Sequence, residues 1–226
     1  MKIIDICGNL CSGKTTLSKL LADNLDFKYI HADLDTSLIN SFFCDISKYF
    51  LQQQLSFLLN KAMKIHSCIC SNKSMVIDRS IFEDINIFAS YFIENKDQFN
   101  INPDDIDAYQ YVAKKILSNL PTTDIAIYCN TSTSTCNKRL QMRRPCSYEN
   151  LYPQNHIENL YEVYEKKIRS INCGILLEFN GDIYDLHDIN TQKDIIREVT
   201  SILNGEFDYK QSIKTHHFTS IKYGGK

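Results

Sequence analysis

The residues Gly8-Asn9-Leu10-Cys11-Ser12-Gly13-Lys14-Thr15 decide the fold class of this 226-residue chain. They match the pattern GxxxxGK[ST] at every defined position. Glycines let a backbone wrap closely around a polyphosphate, and the loop N–H groups and the following helix N-terminus attract its negative charge. Lys14 would reach the β- and γ-phosphates, and the Thr15 hydroxyl would bind Mg²⁺. The stretch, continued by Thr16, therefore predicts a loop that binds a nucleoside triphosphate, and by itself it does not separate a kinase from an ATPase or a GTPase.

Outward from this loop, short β-branched runs alternate with helical patterns. The predicted strands are residues 3–7, 28–32, 75–78, 125–129 and 175–179. Near-continuous apolar runs suit strands that are buried on both faces, and alternation with helices implies right-handed βαβ units. We predict an α/β fold of the P-loop NTPase type, with a parallel five-stranded sheet and helices on both faces. Residues 1–204 form the predicted domain, and residues 205–226 form a polar, flexible C-terminal tail.

Composition excludes several classes of protein. The formal net charge of −2 gives no overall basic field for nucleic acid. No stretch approaches ~18 consecutive apolar residues, so we expect no membrane span. The nine cysteines are scattered, without disulfide-framework or zinc spacing, which favours reduced thiols in the cytoplasm.

Polar residues follow the third predicted strand, where ligands bind in parallel sheets. Asp78 suits Mg²⁺ or its water ligands. Ser80 and Glu83 have the spacing of a capping box, which explains them structurally. Arg79 is not explained in this way, because a cation at a helix N-terminus opposes the helix dipole. We interpret Arg79 as a residue that holds the attacking oxygen or the transferred phosphate.

Three arginines, Arg139, Arg143 and Arg144, end the helix predicted after residues 125–129. Cations stabilise a helix C-terminus, so a structural role is one interpretation. The other is an Arg-bearing lid that closes over the phosphate, where negative charge spreads in the transition state.

Four separated segments resemble the deoxyribonucleoside kinase family, which includes deoxycytidine, deoxyguanosine and bacterial deoxyadenosine kinases. Residues 78–89, DRSIFEDINIFA, resemble its DRS-I-Y-E-D-x-x-I-F-A segment. Residues 45–58 resemble D-P-x-R-W-A-F-x-x-Q-x-x-F-L, residues 157–165 resemble the helix after the lid, and residues 179–183 resemble the last strand and adenine-contacting loop. The resemblance covers nearly everything but the tail. The many Ile, Asn and Lys residues are typical of an AT-rich genome, such as that of a virus.

The resemblance implies a role for particular residues. Gln54 would read the nucleobase, with Lys61 at the position of a family arginine. Asp84 would accept a hydrogen bond from an exocyclic amino group, which favours cytosine or adenine. Glu149 would bind the sugar 3′-hydroxyl, and Asp182 would lie at the ATP site. The resemblance also implies a homodimer through the long helices and a role in nucleotide salvage.

The chain departs from the family at two positions that matter for catalysis. The glutamate that serves as general base at the end of the second strand is absent. His31, Asp33 and Asp35 are the candidates, and Asp33 is preferred because a carboxylate could also pair with Arg79. The family tyrosine that helps to hold the 3′-hydroxyl is Phe43 here. The lid also differs by one residue in length, which leaves open the arginine that contacts phosphate.

These observations predict a kinase that transfers the γ-phosphate of ATP to the 5′-hydroxyl of a deoxynucleoside, with Mg²⁺. Asp33, Arg79, Lys14 and Arg143 are the predicted catalytic residues. One alternative is a nucleoside monophosphate kinase that resembles thymidylate kinase, which shares the loop and the Asp-Arg pair. Another is a nucleotide-binding paralogue without turnover, because the end of the second strand is unusual.

Overall fold

The computed structural model describes residues 1–33, 35–143, 151–206 and 217–223. Its centre is a six-stranded sheet in the order β2-β3-β1-β4-β5-β6. The strands are β1 (Ile3–Gly8), β2 (Lys28–Ile30), β3 (Met75–Asp78), β4 (Thr123–Asn130), β5 (Cys173–Asn180) and β6 (Phe218–Tyr223). The first five pair in parallel, as expected from their apolar runs.

Ten α-helices connect and cover these strands within the described ranges. They are α1 (Lys14–Leu25), α2 (Thr36–Cys44), α3 (Ile46–Cys70), α4 (Ile81–Glu83), α5 (Ser90–Glu94), α6 (Lys96–Phe99), α7 (Pro103–Leu117), α8 (Thr133–Met142), α9 (His156–Lys167) and α10 (Ile189–Leu203). A π-helical segment, Asp84–Ala89, joins α4 to α5, and a 3₁₀ turn, Ile168–Ser170, follows α9. None of the helices in the described part is long and apolar enough to cross a membrane.

The sheet has a sixth strand, and this strand is antiparallel, whereas we predicted five strands that are all parallel. β6 pairs antiparallel with β5, and it lies in the segment that we predicted to be a flexible tail. Phe218 is buried and packs against Phe179 with ring centroids 6.0 Å apart. The strand is held because the β5 edge would otherwise be unpaired, and a local sequence pattern does not reveal such a partner.

Alternation along the strands divides the core between the two faces of the sheet, as predicted. Ile4 and Ile6 of β1 pack in one cluster with residues of α1 and α10. Ile3 and Cys7 pack in the other with residues of α3, α5, α7 and α9. This period of two follows from the strand geometry. The helices on the second face enclose the cavity described below.

Candidate active site

The phosphate-binding loop lies between the carboxyl end of β1 and the start of α1. Gly8 and Gly13 have positive φ angles of 147° and 104°. A Cβ on Gly8 would lie 2.6 Å from Ser12 Oγ and 2.8 Å from the Cys129 carbonyl oxygen, so only glycine fits there. Lys14 Nζ donates to the Asn9 carbonyl at 2.6 Å, which folds its ammonium group back over the loop. The predicted anion-binding loop is therefore present.

Glu83 connects this loop to the segment after β3. The capping box with Ser80 is present, as predicted. The same carboxylate also accepts from the Gly8 backbone N–H at 2.8 Å and contacts the Tyr164 hydroxyl at 2.5 Å. Burial raises the pKa of Glu83. This residue thus fixes the first residue of the loop relative to Arg79 and Ser80, which sequence reasoning did not detect.

The two predicted metal residues lie together. Thr15 Oγ1 donates to Asp78 Oδ2 at 2.7 Å, and the Tyr29 hydroxyl donates to the same oxygen at 2.9 Å. Hydroxyl and carboxylate oxygens are suitable Mg²⁺ ligands or contacts for its water shell, and Mg²⁺ usually needs few protein ligands beside phosphate oxygens. The donor set fits the ion.

Arg79 lies at the edge of a cavity in a left-handed conformation, with φ 63°. Its guanidinium carbon is 4.3 Å from the centroid of the Phe57 ring and 4.6 Å from that of Phe88. Its Nε is 2.7 Å from Asp84 Oδ1. We preferred Asp33 as the base partly because it could pair with Arg79, and this argument was wrong: Arg79 pairs with Asp84.

Lys61 and Asp84 form a buried ion pair behind Arg79. Lys61 Nζ lies 2.6 Å from Asp84 Oδ2, and their side chains are 0% and 2% exposed. Lys61 also donates to the Arg79 carbonyl. Burial lowers the pKa of Lys61, against the opposing effect of Asp84. Neither residue is among those that line the cavity, so this pair positions Arg79 in the described structure.

The cavity has a volume of about 630 Å³, and the phosphate-binding loop, Arg79 and several aromatic rings line it. Gln54 also lines it and is buried. Phe43 also lines it and packs against Tyr152 at 4.9 Å between ring centroids. An amide beside aromatic rings is suited to a nucleobase.

The chain after β2 supplies the candidate bases. Asp33 and His31 both line the cavity. Asp33 Oδ1 is 2.6 Å from Lys64 Nζ, and its side chain is 64% exposed. Hydrogen bonds from Lys64 and Asn60 lower the pKa of the Asp33 carboxyl. Asp35 instead caps α2, accepting from the backbone of residues 37 and 38, and does not line the cavity.

A second cavity of about 350 Å³ adjoins the other side of the loop. Arg139 and Arg143 line it, and Arg143 lines the first cavity too. Arg139 donates to the carbonyls of Cys11 at 3.3 Å and Gly181 at 2.8 Å. Asp182 accepts from Ser132 and does not line either cavity. Arg144 and Glu149 lie outside the described residues.

Sequence reasoning missed two polar residues of the first cavity, Gln53 and His156. Both are buried and line the cavity. Gln53 Oε1 and His156 Nδ1 are buried and have no hydrogen-bond partner within the described ranges. Gln53 is the middle residue of a QQQ run, and His156 precedes the segment used for the resemblance. Only their burial in the wall of the cavity marks these two residues as part of the site. That burial depends on the tertiary structure, so the sequence alone does not reveal it.

A glycine-rich loop, a Thr–Asp pair and an arginine around one cavity define a P-loop phosphotransferase. Comparison with known proteins identifies the family within this class, because a family model described as deoxynucleoside kinase matches residues 4–204. The chain belongs to the deoxynucleoside kinase family. Its reaction is accordingly an ATP-dependent phosphoryl transfer to a deoxynucleoside.

Individual relatives agree with this membership. Deoxyadenosine kinase of Lactobacillus acidophilus is 24% identical over 210 residues, covering 88% of this chain and 95% of the relative. Deoxyadenosine/deoxycytidine kinase of Bacillus subtilis is 26% identical, covering 89% and 93%. A probable deoxycytidine kinase of fowlpox virus is 25% identical, covering 90% and 88%. The fold resembles that of deoxyadenosine kinase from M. mycoides with bound dATP, with a TM-score of 0.69, 22% identity and coverage of 89% and 99%.

Proposed function

We propose that this kinase phosphorylates the 5′-hydroxyl of a deoxynucleoside whose base carries an amino group. The observation that carries the proposal is a single cavity that the loop residues Lys14 and Thr15 share with Gln54. Arg79 and Asp33 line the same cavity. A deoxynucleoside whose base lies against Gln54 would present its 5′-oxygen to the phosphate there.

Positioning and electrostatics perform the transfer in this proposal. The bond between the 5′-oxygen and the γ-phosphorus forms as the bond to the β,γ-bridging oxygen breaks and ADP leaves. Asp33 takes the proton of the hydroxyl, and its lowered pKa keeps it ionised at neutral pH. Arg79, Arg143 and Lys14 stabilise the charge on the transferred group.

Thr15 and Asp78 would hold Mg²⁺ through the hydroxyl and carboxylate oxygens that meet at 2.7 Å. When bound, the ion neutralises phosphate charge. The Tyr29 hydroxyl orients Asp78 by its hydrogen bond.

Gln54 is compatible with an amino-bearing base. Its amide offers one acceptor and one donor side by side, which matches an exocyclic amino group beside a ring nitrogen, as in cytosine and adenine. The same amide turned by 180° also matches the N3–H and O4 groups of thymine, so the comparison of substrates decides the preference. A direct contact between Asp84 and the base stays a prediction, because Lys61 and Arg79 hold both of its oxygens.

Incubation of the purified protein with ATP, Mg²⁺ and each of the four deoxynucleosides tests the proposal. We expect nucleoside-dependent ADP release that is greatest with deoxyadenosine or deoxycytidine. Asp33→Asn separates the candidate bases, since it should lower kcat strongly while His31→Gln should not. The absence of ADP release with all four nucleosides would refute the proposal, and release with thymidine alone would refute the base preference.

The resemblance also supports a homodimer through the long helices. Leu59 and Met63 of α3 and Tyr111 of α7 are exposed, and the two helices pack against each other. Light scattering should give twice the mass of the 26.2-kDa chain. A monomer at micromolar concentration would contradict this part of the proposal.

A further inference from the structure

Gln53 is a buried polar residue that the catalytic scheme above does not use. Its side chain is 3% exposed and lines the cavity, and its Oε1 is enclosed by protein with no hydrogen-bond partner among the described residues. Buried polar atoms in native proteins nearly always have a partner, because an unpaired one destabilises the fold. The carboxamide can turn about its last side-chain bond, so a ligand in the cavity would supply the missing partner.

Gln53 and Gln54 approach the cavity from the same turn of α3. Consecutive residues of a helix point about 100° apart and differ by about 1.5 Å along the axis. Both side chains are buried and both line the cavity. Two carboxamides can therefore contact one planar ligand along two different edges.

The position of Asp84 leaves a role for this second amide. Asp84 was predicted to accept a hydrogen bond from the amino group of the base. Its oxygens are instead 2.6 Å from Lys61 Nζ and 2.7 Å from Arg79 Nε, and it does not line the cavity. Gln53 supplies an acceptor that does line it.

Adenine is the base that matches two carboxamides. Its amino group has two hydrogens, and each lies next to a ring acceptor, N1 on the Watson–Crick edge and N7 on the other edge. A Gln side chain pairs with the N6–H and N7 groups through two hydrogen bonds. Cytosine offers this acceptor–donor pattern on one edge only, because the other side of its amino group is a C–H.

We propose that Gln53 is a second base-reading residue, which pairs with the N6–H and N7 groups of adenine while Gln54 pairs with N6–H and N1. The site thereby selects deoxyadenosine among the amino-bearing deoxynucleosides. This inference rests on the proposed deoxynucleoside kinase function and specifies its substrate.

His156 supports the recognition of an uncharged base in this cavity. It begins α9, lines the cavity and is surrounded by aromatic rings, with Tyr152 and Tyr91 at 5.2 Å and 5.3 Å between ring centroids. Burial lowers its pKa to about 4, so the imidazole is uncharged at neutral pH. The polar groups around the base are then two amides and a neutral ring.

The test compares deoxyadenosine with 7-deaza-2′-deoxyadenosine, in which a C–H group replaces N7. Values of kcat/KM from ADP release are measured for the wild type, for Gln53→Leu and for Gln52→Leu. Gln52 is exposed and adjacent on α3, so it is the matched control. We expect the wild type to lose about tenfold or more on the 7-deaza substrate. Gln53→Leu should lose a similar factor on deoxyadenosine but less than about threefold on the 7-deaza substrate, because the contact is already absent.

The unliganded Tm separates reading of the base from a structural role. Leucine replaces a buried, unpaired amide, so Gln53→Leu should keep or raise the unliganded Tm. Equal losses on both substrates, or a wild type that uses both equally well, would overturn the inference. A wild type that phosphorylates deoxycytidine but not deoxyadenosine would overturn it and leave the proposed function intact. Failure of the proposed function has a different result, the absence of ADP release with any deoxynucleoside.

Discussion

Arg79 concentrates several unfavourable features in one residue. It has a left-handed backbone conformation, which is uncommon outside glycine, and its charge is partly buried between two phenylalanine rings. Strain of this kind is found mainly where function requires a fixed side chain. The ion pair with Asp84 and the Lys61 contact to its carbonyl hold it in place.

Arg79→Lys should lower kcat by about 10²–10³-fold. Lysine keeps the positive charge but lacks the planar guanidinium, whose N–H groups can donate to two oxygens at once. The Tm should change little, since the charge beside Asp84 remains. Steady-state kinetics with ATP and the preferred deoxynucleoside measure the effect. Arg197→Lys is the control, because Arg197 is 76% exposed and bonded only to nearby Asp194 among the described residues. Wild-type kcat in Arg79→Lys would exclude a role in the transition state.

Sequence position alone brings some of the predicted site residues together. Thr15 and Asp78 meet because Asp78 ends β3 and Thr15 follows β1, its parallel neighbour in the sheet. Their role in binding Mg²⁺ stays a prediction. The partner of Asp33 could not be predicted in this way. Lys64 lies in the C-terminal third of α3, and its approach to the end of β2 depends on how that helix packs across the sheet.

At the scale of elements, the five parallel strands were predicted because each is a short, nearly continuous apolar run. The structure extends β1, β4 and β5 by one to three residues and shortens β2, while β3 agrees at both ends. The strand β6 was missed because its residues are interrupted by polar ones and follow a long polar segment. The π-helical segment Asp84–Ala89 was also beyond sequence reasoning, since apolar spacing alone does not distinguish it from an α-helix.

The strand β1 contains a carboxyl group in its buried interior. Asp5 accepts from Thr123 Oγ1 at 2.7 Å, and its Oδ1 has no hydrogen-bond partner in the part of the chain that the structure describes. Burial raises the pKa of Asp5 from 3.8 to about 7, against the hydrogen bond from Thr123. A raised folded-state pKa stabilises the fold fully below pH 3.8, and this contribution is lost as the pH rises through 7.

Asp5→Asn should therefore stabilise the protein more at high pH than at low pH. The asparagine carbonyl can still accept from Thr123, and it carries no charge that must be buried. We expect the difference in unfolding free energy between variant and wild type to grow by roughly 2 kcal/mol between about pH 5 and 8. Urea unfolding at both values measures it. Asp23→Asn, on the exposed face of α1, is the control substitution. A difference that does not change with pH for Asp5→Asn would show that Asp5 is ionised when folded.

The strand β6 should contribute measurably to stability. Phe218 is 1% exposed and packs with Phe179 in the core on the α1 face. Phe218→Ala should lower the free energy of unfolding by about 3–5 kcal/mol, the usual cost of removing a buried ring. Thr219→Ala should change it by less than about 0.5 kcal/mol, because that side chain is exposed. Equal stability of the two variants would mean that the segment is not held against the sheet, as the predicted flexible tail requires.

At the scale of the whole molecule, the phosphate-binding loop separates two ligand sites and connects them. On one side, α8 and the loop after β5 supply Arg139 and Gly181 to the second cavity. On the other, α3 supplies Gln54 to the first cavity. Glu83 and Tyr164 hold the loop between these two halves. Each substrate should therefore stabilise the fold through a different set of residues.

Thermal unfolding with single ligands tests this division. A ligand at about 100 times its Kd stabilises a protein by about 2.7 kcal/mol, which corresponds to a Tm increase of roughly 5–10 °C for a chain of this size. Lys14→Ala should remove the increase caused by ATP and Mg²⁺ and keep the increase caused by the deoxynucleoside, because Lys14 is the residue proposed to contact the phosphates. Gln54→Leu should do the reverse, and EDTA should weaken the ATP effect alone. If either variant abolished both increases, the two sites would not be independent, and the assignment of the base to α3 and of ATP to the loop would fail.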